Sequence, residues 1–569
     1  MNDAPEPDWV SRLADEVVAA HADASRPIVC ASGLSPSGPI HLGNLREVMV
    51  PHLVADEIRR RGIACEHILS WDDYDRFRKV PGGIDGLEGW DEHIGKPLTS
   101  VPPPPGSTHG SWADHFRAGM IDAMDALGIR VRAISQTEMY RAGAYVEQVL
   151  HAMAVRERID AVLDRYRTKN RDPGVADDAD EGERAAAEGS GAAAESDGGG
   201  GLGYYPYRPY CAGCGTDLTA ITAYDDATTR MTYVCRCGHE ETVLLRDHRD
   251  GKLVWKVDWP MRWAYEGVDF EPSGVDHQSP GSSYVVGGDL VGPIFGGRQP
   301  IGPMYAFVGI KGMAKMSSSR GGVPTPGDAL DVMEPPLLRW LYARRKPNQS
   351  FQVAFDDEIQ RMYDEWDSLG RRVAIDQAQA VEAAGYRRAA ATADGPLPVT
   401  PHPLPYRALA SVADITGGDE TQMLRILRAM DPVNPLDSLD DARPRLDRAR
   451  TWIERYVPDE ARTHVRAEPD ADLLASLDDD GRESLRLLAD GLEEDWTLDG
   501  LTTLVYGVPK RMAGFDVHEK KLPPEVKAAQ RALFALVYRL LVGRDTGPRL
   551  PTLLLSLDPA RVRALLGRA

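Results

Sequence analysis

The sequence predicts an α/β protein: a doubly wound α/β domain carrying a zinc-binding insertion, then a mostly α-helical C-terminal region. Three observations lead there. Strand-like and helix-like segments alternate up to Tyr166, the order expected of a parallel sheet with helices on its faces. Four of the six cysteines crowd into positions 211–237. From about Gly327 the apolar spacing is that of helices.

The elements follow in order. Residues 26–32 (RPIVCAS) predict a short buried strand, and 33–39 a Gly/Pro/Ser turn. Residues 41–61 predict a helix, with Leu45, Val48, Met49, Leu53 and Ile58 at helical spacing. A second strand is predicted over 65–71 (CEHILSW), ending at Asp72 and Asp73, where a parallel strand presents residues to a ligand. A helix over 111–127, a strand over 129–135 and a helix over 144–166 continue the pattern. Residues 171–203, rich in Ala, Gly, Asp, Glu and Ser, predict a disordered insertion. The cysteine module occupies 204–250. Strands predicted over 252–258 (KLVWKVD) and 304–310 (MYAFVGI) return to the same α/β body. Helices are predicted over 335–342, 356–380, 483–492 and 524–541. The expected domains are therefore 1–326, a helical connector 327–380 and a helical region 381–569.

A chain of 569 residues has room for several cores, and its formal net charge is -21. The charge is uneven. Residues 501–569 hold twelve Lys/Arg against five Asp/Glu, a local +7 on a remainder of -28. A basic end on an acidic body fits a local nucleic-acid contact as well as it fits a solvated helix bundle. Lys510, Arg511, Lys520, Lys521, Lys527 and Arg549 are the candidate phosphate contacts. No signal-peptide pattern opens the chain and no apolar run has membrane-spanning length, so a cytoplasmic protein without membrane contact is expected. Cys30 and Cys65 lie in apolar strand-like stretches and are expected as buried free thiols.

Cys211 and Cys214, then Cys235 and Cys237, supply four thiolates on two turns, the donor set of a closed structural zinc site. His239 could stand in for Cys237. Gly213, Gly215 and Gly238 suit tight turns beside the ligands.

Two loops suit phosphate. In Ser35-Pro36-Ser37-Gly38-Pro39-Ile40-His41-Leu42-Gly43-Asn44, the glycines, with Gly33 before them, let backbone approach a nucleotide. A helix starting near His41 would turn its free N–H groups to phosphate, with His41 and Asn44 as side-chain donors. In Lys315-Met316-Ser317-Ser318-Ser319, an ammonium and hydroxyls sit in a loop flanked by Gly309, Gly312, Gly321 and Gly322. Lys311 is a possible helper. Asp72, Asp73 and Asp75, with the aromatic residues Trp71, Tyr74, Trp255, Trp259, Trp263 and Tyr305, suit an ammonium on an apolar stem. Asp73 is the hypothesised ammonium partner.

In this order the two loops resemble the "HIGH" and "KMSKS" signatures of class I aminoacyl-tRNA synthetases. The longer matches, 31–44, 70–81, 255–263, 268–272 with His277, and Gly547-Pro548-Arg549, resemble the class I lysyl-tRNA synthetase family over nearly the whole chain outside the insertion. The resemblance implies a Rossmann-like catalytic domain and an α-helical anticodon-binding region. It implies lysine activation by ATP with Mg²⁺, then transfer to tRNA(Lys). It implies ATP contacts at Pro36, Ser37, Gly38, His41, Gly43, Asn44, Lys315, Met316, Ser317 and Ser318, with His41, Asn44 and Lys315 catalytic. Gly33, Ser35, Trp255, His277 and Tyr305 would line the lysine site beside Asp73. Some relatives imply a second zinc; only His109 and His115 match its ligands, with Pro104 and Thr108 at the other two places, so none is assigned. A monomer is expected. Three rivals remain: a glutamyl-type synthetase, a non-catalytic tRNA-binding paralogue, and a lysyl-tRNA supplier for a side pathway.

Overall fold

The computed structural model describes residues 8–21, 25–166, 203–312 and 322–567. The predicted insertion lies outside them except for Gly203, and Lys315, Met316, Ser317, Ser318 and Ser319 lie outside them entirely.

The first strand, β1 (Ile28–Leu34), is buried along almost its whole length, as a strand covered on both faces must be. Helix α1 (Leu45–Arg60) follows the turn, and β2 (Cys65–Trp71) matches the predicted strand residue for residue. Helix α2 (Trp112–Ala126) is capped by Ser111, whose hydroxyl accepts from the Asp114 N–H, and leads to β3 (Arg132–Ser135). β1 pairs with β2, and β2 with β3, all parallel. Parallel bridges from Cys30 to Phe270 and from Phe270 to Ile301 extend the order to β3-β2-β1-Phe270-Ile301.

Three expectations are corrected. The predicted helix over 144–166 is two helices, Val146–Ala154 and Arg156–Asp164. The predicted strand over 304–310 is broken at Ala306 and Phe307 into Met304–Tyr305 and Val308–Ile310. Residues 252–258 keep only a short strand, Gly251–Leu253, before helix α3 (Trp255–Glu266) begins. The tryptophans at 255, 259 and 263 explain this, because a spacing of four stacks them on one helical face.

The cysteine module is an antiparallel sheet, β4 (Thr219–Asp225), β5 (Arg230–Cys235) and β6 (Glu240–Leu244). The chain divides into two units. One contains Met1–Leu330, Pro335–Val353 and Arg372–Leu397; the other contains Asp331–Glu334, Ala354–Arg371 and Pro398–Ala569. The second unit is built of helices, among them α4 (Leu498–Met512) and α5 (Pro524–Val542). Inside it, Arg445 is buried between Glu334 and Asp367 at 2.7 and 2.9 Å. No helix among the described residues is long and apolar enough to cross a membrane.

Candidate active site and metal centre

A cavity of about 440 Å³ opens at the C-terminal ends of β1 and β2, with α3 forming its opposite wall. Gly33, Ser35, Ser37, His41, Asn44, Trp255, His277 and Tyr305 all line it. Pro36, Gly38 and Gly43 belong to the same turn but are not among the lining residues.

The turn is tied by its own side chains. Asn44 is the N-cap of α1, one turn later than predicted, so the helix does not begin at His41. The Asn44 Oδ1 accepts the His41 N–H at 3.1 Å, and His41 Nδ1 accepts the Gly43 N–H at 3.0 Å. The N–H groups of Leu42, Asn44, Arg46 and Glu47 are also bonded to carbonyls. The expected row of free helix N–H groups is therefore already used. What remains is the imidazole. Burial holds the His41 pKa down to about 4, so the ring is neutral, and with Nδ1 accepting, the proton sits on Nε2.

The turn is also anchored on both flanks of the Lys/Ser loop. Leu42 N–H donates to Pro324 O at 3.0 Å. Arg46 donates to the carbonyls of Ala306, Lys346 and Gln349 at 2.8, 2.8 and 2.9 Å. Tyr342 Oη donates to Leu42 O at 2.8 Å.

The opposite end of the cavity is acidic. Asp73 is not part of it: Arg117 at 3.2 Å, Ser135 at 2.6 Å and the Thr137 N–H at 2.9 Å occupy both its oxygens, and the residue is fully buried. Its neighbour Asp72 faces the cavity instead, with Asp75, Glu47 and Glu271. Lys252 neutralises Asp75 at 2.5 Å, and Arg262 bonds Asp72 at 2.8 Å. Trp259 and Trp263 donate their indole N–H groups to the two oxygens of Glu271 at 3.1 and 2.6 Å. Neither Glu47 nor Glu271 has a cationic partner among the ion pairs of the described residues, although Arg262 acts on Glu271 at longer range. Burial pushes the Glu47 carboxyl well above its ordinary range, with the charges of Glu271 and Asp72 adding to it. Burial likewise pushes Glu271 up to about 7 and Asp72 to about 6, the latter opposed by Arg262.

Aromatic rings wall this end. Trp255 and Trp259 stack at 5.1 Å, and His277 meets Trp259 edge-on at 5.6 Å. Trp71 and Tyr74, expected with the acids, are core residues instead, 2% and 0% exposed. Sequence reasoning gave Glu47, Glu271 and Arg262 no role. Their one signal was a charged residue on the apolar face of a helix or at the end of a buried strand.

The four cysteines converge. All their sulfurs lie within 4.8 Å of one another, and Cys211–Cys237 and Cys214–Cys235 are 3.7 and 3.6 Å apart. Zinc–sulfur bonds of about 2.3 Å in a tetrahedron put sulfurs about 3.8 Å apart, so the donor set and its spacing fit zinc. Cys237, not His239, completes the cluster. Gly215 and Gly238, at φ +77° and +89°, make the two turns that wrap it. The module is fastened to the segment after β2 by the Asp217 N–H bond to Gly95 O at 2.8 Å. His109 and His115 have ring centroids 5.7 Å apart. Among the described residues they join no cluster of three or more metal-ligating side chains.

The family described as tRNA synthetases class I (K) matches residues 7–393. The chain is 65% identical to the lysine–tRNA ligase of Streptomyces coelicolor over 98% of both chains. It is 31% identical to the lysine–tRNA ligase of Pyrococcus horikoshii over 97% of both. Among solved structures, a glutamate tRNA ligase from Elizabethkingia meningosepticum aligns at 11% identity with a TM-score of 0.44, over 95% of this chain and 99% of that one.

Proposed function

The chain belongs to the family of class I (K) tRNA synthetases, and on that premise we propose that the cavity activates lysine with ATP and passes it to tRNA. The activity is lysine–tRNA ligation. One observation carries the placement of the substrate: three carboxylates line the cavity, Glu47, Asp72 and Glu271, and among them only Asp72 has a cationic bond, to Arg262. Burial raises all three carboxyls with little cationic compensation, and a cation placed beside them favours their ionised forms. The lysine ammonium is that cation, and the tryptophan wall covers the four-carbon stem.

The parallel order β3-β2-β1-Phe270-Ile301 supports the finer fold assignment, a Rossmann-like doubly wound sheet. In that order the switch point lies between β1 and Phe270, next to Gly33 and Glu271, where such sheets bind ligands. Gly33 and Ser35 lie at the end of β1 to hold the lysine backbone groups. Trp255, His277 and Tyr305 line the stem.

In the first step a lysine carboxylate oxygen attacks the α-phosphorus of ATP. The bond to the bridging oxygen breaks and pyrophosphate leaves. The family implies Mg²⁺ with the ATP phosphates, where it would neutralise their charge. The neutral His41 Nε2–H donates to phosphate oxygen, and Asn44 holds the His41 turn in place. Pro36, Ser37, Gly38 and Gly43 shape the ATP side; Lys315, Met316, Ser317 and Ser318 are assigned ATP contacts on the family resemblance alone. In the second step a ribose hydroxyl of the terminal adenosine, the 2′-hydroxyl by class resemblance, attacks the lysyl carbonyl and AMP leaves. No protein nucleophile is needed; positioning and charge do the work.

Cys211, Cys214, Cys235 and Cys237 would hold a structural zinc, whose four protein ligands leave no open position for catalysis. The helical second unit is assigned the anticodon contacts through Arg511, Lys520, Lys521, Lys527 and Arg549, all exposed. Lys510 is withdrawn from that group, because it is 8% exposed and its ammonium donates to Val517 O. A monomer is proposed.

The test is amino-acid-dependent ATP–pyrophosphate exchange with all twenty amino acids, with and without tRNA. Exchange with lysine alone is expected. Exchange with glutamate would reassign the pocket, and no exchange under either condition would leave a tRNA-binding paralogue.

A further inference from the structure

Two buried histidines of the first unit have no task in that reaction. His52, on α1, is 0% exposed, and His67, on β2, is 2% exposed. Their ring centroids are 6.3 Å apart with planes tilted by 34°. Each ring's tautomer follows from its one hydrogen bond. Arg339 Nη1 lies 2.9 Å from His52 Nε2, and a guanidinium can only donate. His52 Nε2 therefore accepts, and Nδ1 carries its proton. On the other side, Ser32 Oγ donates its single hydrogen to the Glu47 carbonyl at 3.1 Å. Towards His67 Nε2, 2.8 Å away, the same oxygen can only accept. His67 Nε2 therefore carries the proton, and Nδ1 is a bare lone pair. The result is a buried donor and a buried acceptor on neighbouring rings. Neither Nδ1 has a hydrogen-bond partner among the described residues. Burial keeps both rings neutral, His67 down to about 3 and His52 well below the ordinary value, as two fixed tautomers require.

We propose that one water molecule bridges His52 Nδ1–H to His67 Nδ1, completing a one-directional chain from Arg339 through His52, water, His67 and Ser32 to the Glu47 carbonyl that positions Glu47 in the cavity. Centroids 6.3 Å apart keep any two nitrogens of the rings about 4 Å or more apart, too far for a direct bond, while two bonds of about 2.8 Å in series through one oxygen reach up to about 5.6 Å. Every link donates in the same direction, so each polarises the next. The chain ends where it matters. Ser32 grips the Glu47 main chain, and the adjacent Gly33 N–H favours its ionised carboxylate. One stretch of β1 thus acts on both halves of the residue, two positions from Ser35. His52, His67 and Ser32 are positioning residues: they act through Glu47 and touch no substrate.

This inference rests on the reading that Glu47 faces the lysine ammonium, and the experiment separates the two. In the full-length protein labelled with ¹⁵N-histidine, the ring-nitrogen spectrum is expected to show His52 as the Nδ1–H tautomer and His67 as the Nε2–H tautomer. The opposite tautomer at either ring would overturn the chain. In ATP–pyrophosphate exchange, His67→Leu is expected to raise the lysine KM about tenfold and leave the ATP KM within about twofold. His67→Gln, whose amide N–H can reach Ser32, is expected to recover to within about threefold. Lysine and ATP KM moving together, or no recovery in His67→Gln, would overturn the positioning role. If His67→Leu does not fold, Ser32→Ala carries the same expectation. An unchanged lysine KM in Glu47→Gln would overturn the active-site reading, while the tautomers would still report on the chain itself.

Discussion

The two ends of the cavity are built on opposite principles. At the end proposed for the nucleotide the turn 35–44 is tied down by its own side chains, and its histidine is held neutral by burial. At the end proposed for the amino acid geometry is also fixed, but of Glu47, Asp72 and Glu271 only Asp72 has a cationic bond among the described residues, to Arg262. The first end is ready before substrate arrives. The second becomes electrostatically satisfied only when a cation enters. Rate enhancement should therefore reside at the neutral end, and choice of amino acid at the acidic one.

The largest effect that would test this division is at His41. His41→Ala is expected to lower kcat of lysine-dependent ATP–pyrophosphate exchange about a hundredfold, with the lysine KM moving far less. Unimpaired adenylate formation would remove His41 from the chemistry. Glu47→Gln, at the other end, is expected to do the reverse. It should raise the lysine KM by about tenfold or more and leave the ATP KM unchanged, a split that steady-state kinetics resolves.

A third expectation follows from the carboxyls themselves. Burial holds the Glu271 carboxyl up to about 7 and Asp72 up to about 6. An incoming ammonium favours their ionised forms, so lysine and protons compete. The lysine KM should fall as pH rises through about 6 to 7 and level off above. Stability without lysine runs the other way. A carboxyl whose folded pKa is raised contributes stability that is present at low pH and lost as pH rises through that pKa. Thermal unfolding scans across this window, with and without lysine, should show the loss and its reversal by substrate. The smallest effect on binding is expected at Asp73. Asp73→Asn should leave lysine affinity unchanged and cost about 1–3 kcal/mol of stability, because its partners are Arg117, Ser135 and Thr137. A weakened lysine affinity would return Asp73 to the site.

The Asp72 and Asp73 pair shows where the sequence stops informing. The strand 65–71 was legible to the residue, because a buried run ending in acids has few other readings. Which of two adjacent acids turns inward depends on how the chain leaves the strand, and no periodicity survives past that point. Glu47 was hidden for a different reason: amphipathic reasoning expects a glutamate to face water, so one turned into a cavity carries no pattern. The start of α1 was misplaced because His41 and Asn44 fold the preceding turn by side-chain bonds. Residues 252–258 are locally β-like, and only the four-residue spacing of the tryptophans gave the helix away. The cysteines were the easiest part, since their spacing survives into the fold almost unchanged.

The division into units bears on how the chain could be dissected. The first unit is assembled from three stretches, and the second takes back Asp331–Glu334 and Ala354–Arg371 between them. A fragment ending at Leu330 would lack Arg339, which bonds His52, and Arg388, which pairs with Asp8 and Glu57 at 2.7 and 2.5 Å. The family match ends at 393, four residues short of Leu397, where the first unit ends. Anyone cutting this enzyme into parts should cut there. Even then the fragment would carry twenty-two residues that fold with the piece left behind.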